Sequence, residues 1–386
     1  RTIVSIDTKM SYIGNNRPNL AMAKKLHEFG AVPTPIPWEQ MDIIAPQYYV
    51  EALSPNEIAR TWVTDYYKVP LRFCGVKQMF EMTKANRKAQ YASTLDESFR
   101  DLLIRTNNKP KMTDVYDMIQ EIVDDPDMKR LEWIYRVLLS KLQKMQRWTI
   151  EEGVEWSAVG NALFNAVQQS QRAGRVIPRW IVFTLGHAEH PEDDINLALV
   201  SAVLTEIYAF AKYARMHNLP IRLGVMMDEL HTYVRNKDAS AREAIHDLLF
   251  AWGRSNQVLR ALLTQKDDQL DKVFRDDISN FQDKGTYTYS TIMACEAIPE
   301  PGYAMYINRL QPNSKSPDMP FVIPKLKVCP PLFEVESREP NTEAWLDNVR
   351  KRREEELRKK SHYYDEYGMD DADPLHFNPD ADLRSF

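Results

Sequence analysis

Four apolar runs in this chain each stop abruptly at polar residues, and that pattern limits the fold more than any other feature. Thr2 to Ile6 stops at Asp7-Thr8-Lys9, and Arg179-Trp-Ile-Val-Phe-Thr-Leu185 runs out through Thr184 to His187. Ile221-Arg-Leu-Gly-Val-Met-Met227 stops at Asp228-Glu229, and Val258 to Leu263 stops at Thr264-Gln265. Continuous apolar runs, as opposed to alternating ones, predict strands buried on both faces. Helical stretches lie between them. Pro18 to Phe29 carries Leu20, Ala23, Leu26 and Phe29 at helical spacing, with Gly30 as a stop. Glu192 to Met216 carries the stripe Ile195, Leu199, Val203, Ile207 and Phe210, and Ala241 to Trp252 is a third such segment. Strands alternating with amphipathic helices predict an α/β fold with a mostly parallel sheet flanked by helices and joined by right-handed crossovers. In such sheets the working groups sit beyond the carboxyl ends of the strands.

Composition narrows the choice. A chain of 386 residues corresponds to two or three domains. With 44% hydrophobic and 27% charged residues, the chain as a whole is not intrinsically disordered. Only 12 glycines argue for helix over turn-rich barrels or sandwiches. A net charge of −5 excludes a global basic field, though not a local basic path for nucleic acid. The cysteines, Cys74, Cys295 and Cys329, are far apart and odd in number. They make neither a disulfide framework nor a metal knuckle, which fits a reducing, cytoplasmic setting. Placement at the inner face of a membrane stays open. No run approaches 18 apolar residues, so no transmembrane segment is expected.

The expected organisation is discontinuous. Residues 1–37 and 176–310 supply the sheet and its helices. Residues 38–175 read as a large helical insertion, with helices over Asp114 to Val123, Met128 to Met145 and Trp156 to Val167. Val32-Pro-Thr-Pro-Ile-Pro-Trp38 is too rich in proline for a central strand and reads as an edge piece or connection. Further strand-like runs fall at Thr286 to Thr291 and Tyr303 to Ile307. Residues 311–386 read as a proline-rich, loop-rich segment, a charged helix over Glu343 to Lys360 and an extended acidic tail.

Four apolar residues followed by Asp-Glu form the pattern of a Walker B strand. Asp228 would order Mg²⁺, directly or through a water of its shell. Glu229 would polarise the water that attacks a γ-phosphate. Paired carboxylates at the end of a central strand are costly without a cation or solvent nearby. The amide of Gln265, at the end of a neighbouring strand, would sense the phosphate or position the water. Arg254, in Trp252-Gly-Arg-Ser255, would reach a neighbouring subunit's nucleotide. Asp7 and Lys9 would contact nucleotide or DNA, or cap a helix.

Taken in order, these segments resemble the HerA/FtsK superfamily of DNA-pumping P-loop ATPases. The resemblance rests on Ile3-Val-Ser-Ile-Asp7-Thr-Lys9, Trp180-Ile-Val-Phe-Thr-Leu185 with its long helix, and Gly224-Val-Met-Met-Asp228-Glu229-Leu-His231. It extends to Gly253-Arg254-Ser255 and Leu262-Leu-Thr264-Gln265. HerA-type helicases and TraG-like conjugative coupling proteins share this order. The resemblance implies a RecA-like sheet, ATP and Mg²⁺ as cofactors, DNA as partner and a homo-oligomer, expected to be a hexameric ring. It implies an ATP-driven DNA translocase acting in DNA transfer, packaging or processing. Glu229, Gln265 and Arg254 would be catalytic, and Asp228, Asp7, Lys9 and Thr264 would contact the cofactor, with Asp228 on the metal.

The family's phosphate loop, G-x-x-x-x-G-K-[ST], occurs nowhere in the sequence. Because the chain opens without Met directly into a strand, the expectation is that it begins just after that loop. As it stands it is not expected to bind ATP well. The alternative is a catalytically inactive RecA-like subunit of a secretion, conjugation or virion assembly. A two-metal nuclease lacks the further carboxylates such a site needs. His187-Ala-Glu-His190 lacks a third ligand and reads as an ordinary turn. Tyr287, Tyr289, Tyr303 and Tyr306 read as packed aromatics rather than a base-stacking platform.

Overall fold

A computed structural model of the chain describes residues 1–8, 12, 17–51, 63–85, 89–129, 132–150, 153–186, 188, 190, 193–235, 239–247, 258–263, 291–294, 303–313 and 316–327. The strands are β1 (Thr2–Asp7), β2 (Met41–Pro46), β3 (Asp65–Tyr67), β4 (Val69–Pro70), β5 (Thr149–Ile150), β6 (Arg179–Thr184), β7 (Leu223–Met227), β8 (Leu259–Leu262), β9 (Thr291–Ala294), β10 (Tyr303–Asn313) and β11 (Ser316–Lys327). The helices are α1 (Ala23–Glu28), α2 (Gln47–Glu51), α3 (Val76–Thr83), α4 (Ala89–Arg105), α5 (Met112–Asp124), α6 (Glu132–Met145), α7 (Ala158–Ala173), α8 (Asp194–Met216), α9 (Leu230–Val234) and α10 (Ser240–His246).

Six strands build the main sheet in the order β3-β2-β6-β1-β7-β8, and every described pairing in it is parallel. This is the α/β arrangement, a parallel sheet flanked by helices, expected from the strand pattern. β1 lies between β6 and β7, with Ile6 opposite Phe183 on one side and Met227 on the other. One sheet face carries Val4, Ile6, Ile181, Phe183, Val225 and Met227 into a large core shared with α8 and the helices of residues 71–173. The opposite face carries Val182 and Ile43 into a smaller cluster with Tyr12, Trp38 and Met41.

Helix α8 is long and apolar enough to cross a membrane, but its surface is the centre of the larger core. It packs against α3, α7 and α10, and Leu199, Val203, Ile207 and Phe210 of the expected stripe are fully buried. Its one deeply buried charge, Glu206, is 0% exposed. Its carboxylate accepts from the backbone N–H and hydroxyl of Ser157, at 2.7 and 2.6 Å. Burial nevertheless pushes its pKa up to about 7. Glycine is required at position 160 because an added Cβ would lie 2.6 Å from Glu206 Oε1. Glu206 therefore supplements the Ser157 cap of α7, whose hydroxyl accepts from Val159 N–H at 3.0 Å.

Two expectations about organisation need correction. The sheet takes two strands, β2 and β3, from within 38–175, so that segment is not a purely helical insertion. The run Met41-Asp-Ile-Ile-Ala-Pro46 contains a charge and ends in proline, which disguised it. Asp42 is tolerated because Arg179 meets it in two hydrogen bonds, at 2.5 and 2.7 Å, with both side chains at most 9% exposed. The expected helices within the segment do form, as α5, α6 and α7.

The second correction concerns residues 311–313 and 316–327, which are strand and not loop. β10 and β11 pair antiparallel, and β9 pairs with β10. Proline is compatible here because Pro317, Pro320 and Pro324 lie on β11, a terminal strand of the order β11-β10-β9. Pro312 sits where the register shifts. Residues 286–290 and the charged helix and tail beyond 327 lie outside the described residues.

Candidate nucleotide site at the carboxyl ends of the strands

Parallel pairing brings the ends of β1 and β7 side by side. Asp228 N–H donates to Ile6 O at 3.2 Å, one residue before Asp7. Side chains alternate along each strand, so Asp7 follows Ser5 and Asp228 follows Met226 onto the same sheet face. Asp7 is 0% exposed and Glu229 6% exposed. Asp228 is half-buried.

Glu229 turns the chain. Its φ of 50° and ψ of 48° place it in the left-handed region, uncommon for a residue other than glycine. Its N–H donates to Asp228 Oδ1 at 2.9 Å. Helix α9 then starts, with Thr232 N–H donating to Glu229 O at 2.8 Å. His231 Nδ1 lies 3.4 Å from Glu229 Oε2, an ion pair when the imidazole is protonated.

β8 joins this turn through its last described residue. Leu263 N–H donates to Met227 O at 2.9 Å, and Leu230 N–H donates to Leu263 O at 2.8 Å. The residue directly before Thr264 is therefore bonded to both flanks of Asp228-Glu229. Thr264, Gln265, Arg254 and Lys9 lie outside the described residues.

Two tyrosines complete the cluster, and the sequence reading missed both. Tyr12 donates its backbone N–H to Asp7 Oδ2 at 3.3 Å. Burial, then the charges of Asp228 and Asp7, hold its hydroxyl protonated far above the ordinary tyrosine range. Tyr233 is fully buried, and the same causes, burial first and then Asp7 and Asp228, raise it well above its usual value. Tyr233 follows Glu229 by four residues, one helical turn, which is a signal the sequence does contain. Tyr12 carries no such signal, since the loop after β1 has no periodicity.

The arrangement gathers three carboxylates at the ends of two adjacent strands, Asp7 and Glu229 buried and Asp228 half-buried. Among the described residues, no group of three His, Cys, Asp or Glu is gathered tightly enough to hold a metal. A magnesium ion retains several waters and commonly takes one or two carboxylates with phosphate oxygens. The half-buried Asp228 fits that role better than a closed protein cage would. The His190 carbonyl accepts from Asn196 Nδ2 at 2.7 Å and from Asp193 N–H at 3.1 Å, and His187 lies outside the described residues. An open groove of about 1080 Å³ lies away from this site, lined by Tyr116, Arg136, Leu139 and Gln143 of α5 and α6. It holds none of the strand-end carboxylates.

Among solved structures, VirB4 of Thermoanaerobacter pseudethanolicus is similar to this chain at a TM-score of 0.45 and 10% sequence identity. The likeness covers 85% of this chain and 81% of that one. No family model matches the sequence, and no curated protein matches it.

Proposed function

We propose that the chain belongs to an ATP-driven motor of the HerA/FtsK type that moves DNA as a homo-oligomeric, hexameric ring. The observation that carries the reading is the pairing of β1 with β7. It sets Asp7 beside Asp228 on one face and hands the chain straight to Glu229 in a left-handed turn. The order of motifs along the sequence supports the same reading. Magnesium, when bound with nucleotide, supplies charge neutralisation for the phosphates.

The remaining work falls to the chain's own groups. Asp228 holds a shell water or the ion itself. Glu229 accepts a proton from the attacking water, its carboxylate kept largely out of solvent, where a base acts without competing hydration. His231 Nδ1 stands 3.4 Å from Glu229 Oε2 at the edge of the same turn. Gln265 orients the water or senses the phosphate, Thr264, Asp7 and Lys9 contact nucleotide, and Arg254 acts across a subunit boundary. Transfer complexes for DNA, in conjugation, secretion or packaging, are the setting this motor serves.

The test is Glu229→Gln in the full-length protein. Hydrolysis should fall on the order of 10²- to 10⁴-fold while nucleotide affinity is kept. Turnover at the wild-type rate would sink the assignment. Wild-type protein that binds DNA but releases no phosphate with or without it would favour the inactive assembly subunit instead.

A further inference from the structure

The two edges of the main sheet differ in charge. The carboxyl edge holds Asp7, Asp228 and Glu229, whereas Arg1, Arg179 and Arg222 stand at the entries of the adjacent strands β1, β6 and β7. Backbone bonds fix that row: Thr2 N–H donates to Arg222 O at 2.8 Å, and Arg179 N–H donates to Arg1 O at 3.3 Å. Two helices add to it. α7 and α8 run side by side in one direction, since Ser157 meets Glu206 while Phe164, further along, meets Phe210 and Tyr213. Both lead into strands of one parallel sheet. Their last turns and connections, with Arg172, Arg175, Lys212 and Arg215, therefore emerge at the amino edge.

The sequence keeps acid away from this edge. No Asp or Glu lies between Glu155 and Glu189, nor between Glu206 and Asp228. Arg179 turns inward to Asp42. Arg172, Arg175, Lys212 and Arg222 stay exposed, and among the described residues none of them is ion-paired with a carboxylate. Glu39, before β2, is an exposed acid at the far side of Arg179. Helix dipoles account for part of the pattern, because Arg172 and Arg215 sit in the last turns of α7 and α8. They leave Arg175 and Arg222, which lie in the connections, without a structural reason. In a chain of net charge −5 this is a local concentration of one sign.

We propose that the amino edge of the sheet is a binding surface for the phosphate backbone of DNA. The motor reading supplies DNA as the polyanion, and the inference rests on it to that extent. Guanidinium forks match phosphate oxygens two at a time, and arginine predominates here. An anionic lipid surface would call for bulky apolar groups beside the cations. Residues 172–178 and 212–222 expose Val176 and Met216 but no Trp, Phe or Leu. The six residues of β1 put about 20 Å between this edge and the carboxylates, so a polyanion held here avoids their repulsion.

The experiment is a fluorescence-anisotropy titration of a labelled DNA duplex with the full-length protein, without nucleotide, over a series of salt concentrations. Arg172→Gln, Arg175→Gln and Arg222→Gln together should flatten the dependence of log affinity on log salt by about 2–3. At physiological salt the same triple variant should bind on the order of 10²-fold more weakly, for any duplex sequence. Each single change should flatten the slope by about 1, and the single variants serve if the triple folds poorly. Lysine at the three positions keeps the charge and should keep the slope. Arg100→Gln, Arg105→Gln and Lys109→Gln remove equal charge from exposed positions on and beside α4, and should change nothing. An unchanged slope in the first triple, or an equal loss in the α4 triple, overturns the proposal and leaves the motor reading standing. So does binding to phosphatidylglycerol-containing vesicles that the first triple abolishes while DNA binding is kept. Wild-type protein that binds no DNA overturns both. A slope lost as expected in a wild-type protein that never hydrolyses ATP supports the surface and overturns the motor alone.

Discussion

Glu229 holds a backbone conformation that costs a non-glycine residue on the order of 1 kcal/mol. Such strain persists where surrounding structure enforces it, and here the enforcing bonds come from Leu230, Thr232 and Leu263. Glu229→Gly should therefore raise the melting temperature by a few degrees while removing hydrolysis, because glycine enters the left-handed region freely. A lower melting temperature would show that the carboxylate stabilises the fold. Tyr233→Phe should likewise raise stability in metal-free protein, by about 1 kcal/mol, since it deletes a buried hydroxyl with no partner. Urea unfolding measures it, and a loss of stability would reveal a bond that the hydroxyl makes in solution. Asp7, Asp228 and Glu229 were legible because polar residues that end apolar runs stand out. Tyr12 was not, because its role arises from a sheet that joins residues 2–7 to residues 223–227.

At the scale of elements, continuous apolar runs and helical stripes were read correctly, as β1, β6, β7, β8 and α8. The failures have a common cause. β2 hides a charge that a distant arginine satisfies, and β11 hides prolines that a terminal strand tolerates. In both, tertiary pairing overrides the local signal. Asp42→Ala should destabilise by about 3–5 kcal/mol, because it leaves the buried Arg179 guanidinium uncompensated. Chemical denaturation reads this, and a loss below about 1 kcal/mol would contradict it.

Glu206 gives the elements a pH dependence. Its folded pKa of about 7 lies above its ordinary value of 4.5. Between those values the folded state keeps a proton that the unfolded state has lost, so stability falls as pH rises. One such proton changes stability by up to about 1.4 kcal/mol per pH unit. Unfolding midpoints should drop from pH 5 to pH 7, and Glu206→Gln should flatten that slope. An equal slope in the variant would assign it elsewhere, with Glu81, also raised to about 7 by burial, the next group to replace.

At the scale of the whole molecule, α3 is fastened to α10. Glu81 accepts from Ser240 N–H at 2.7 Å and from its hydroxyl at 2.5 Å, while Lys77 meets Glu243 at 3.0 Å. Only α9 and a short connection separate α10 from Glu229, so the fastening links the helices of the 71–173 region to the turn that carries the carboxylates. Glu81→Ala should speed amide exchange across Ser240–His246 by 10-fold or more, on the order of 1.4 kcal/mol of lost protection. Unchanged exchange would mean that α10 is held by its apolar face alone. The domain boundary at residue 38 was illegible for the same reason that the fold works: the sheet is assembled from both sides of it.

That assembly has a consequence for the chain as it leaves the ribosome. β1 is made first among the described strands, yet both of its neighbours, β6 and β7, lie about 180 residues or more further on. At roughly 5–20 residues per second, a strand whose Val4 and Ile6 are fully buried in the finished protein waits on the order of 10–40 s for a partner. During that interval it is an apolar segment with open backbone edges, so the nascent protein should be a strong client for chaperones and aggregation-prone when synthesis stalls before Arg179.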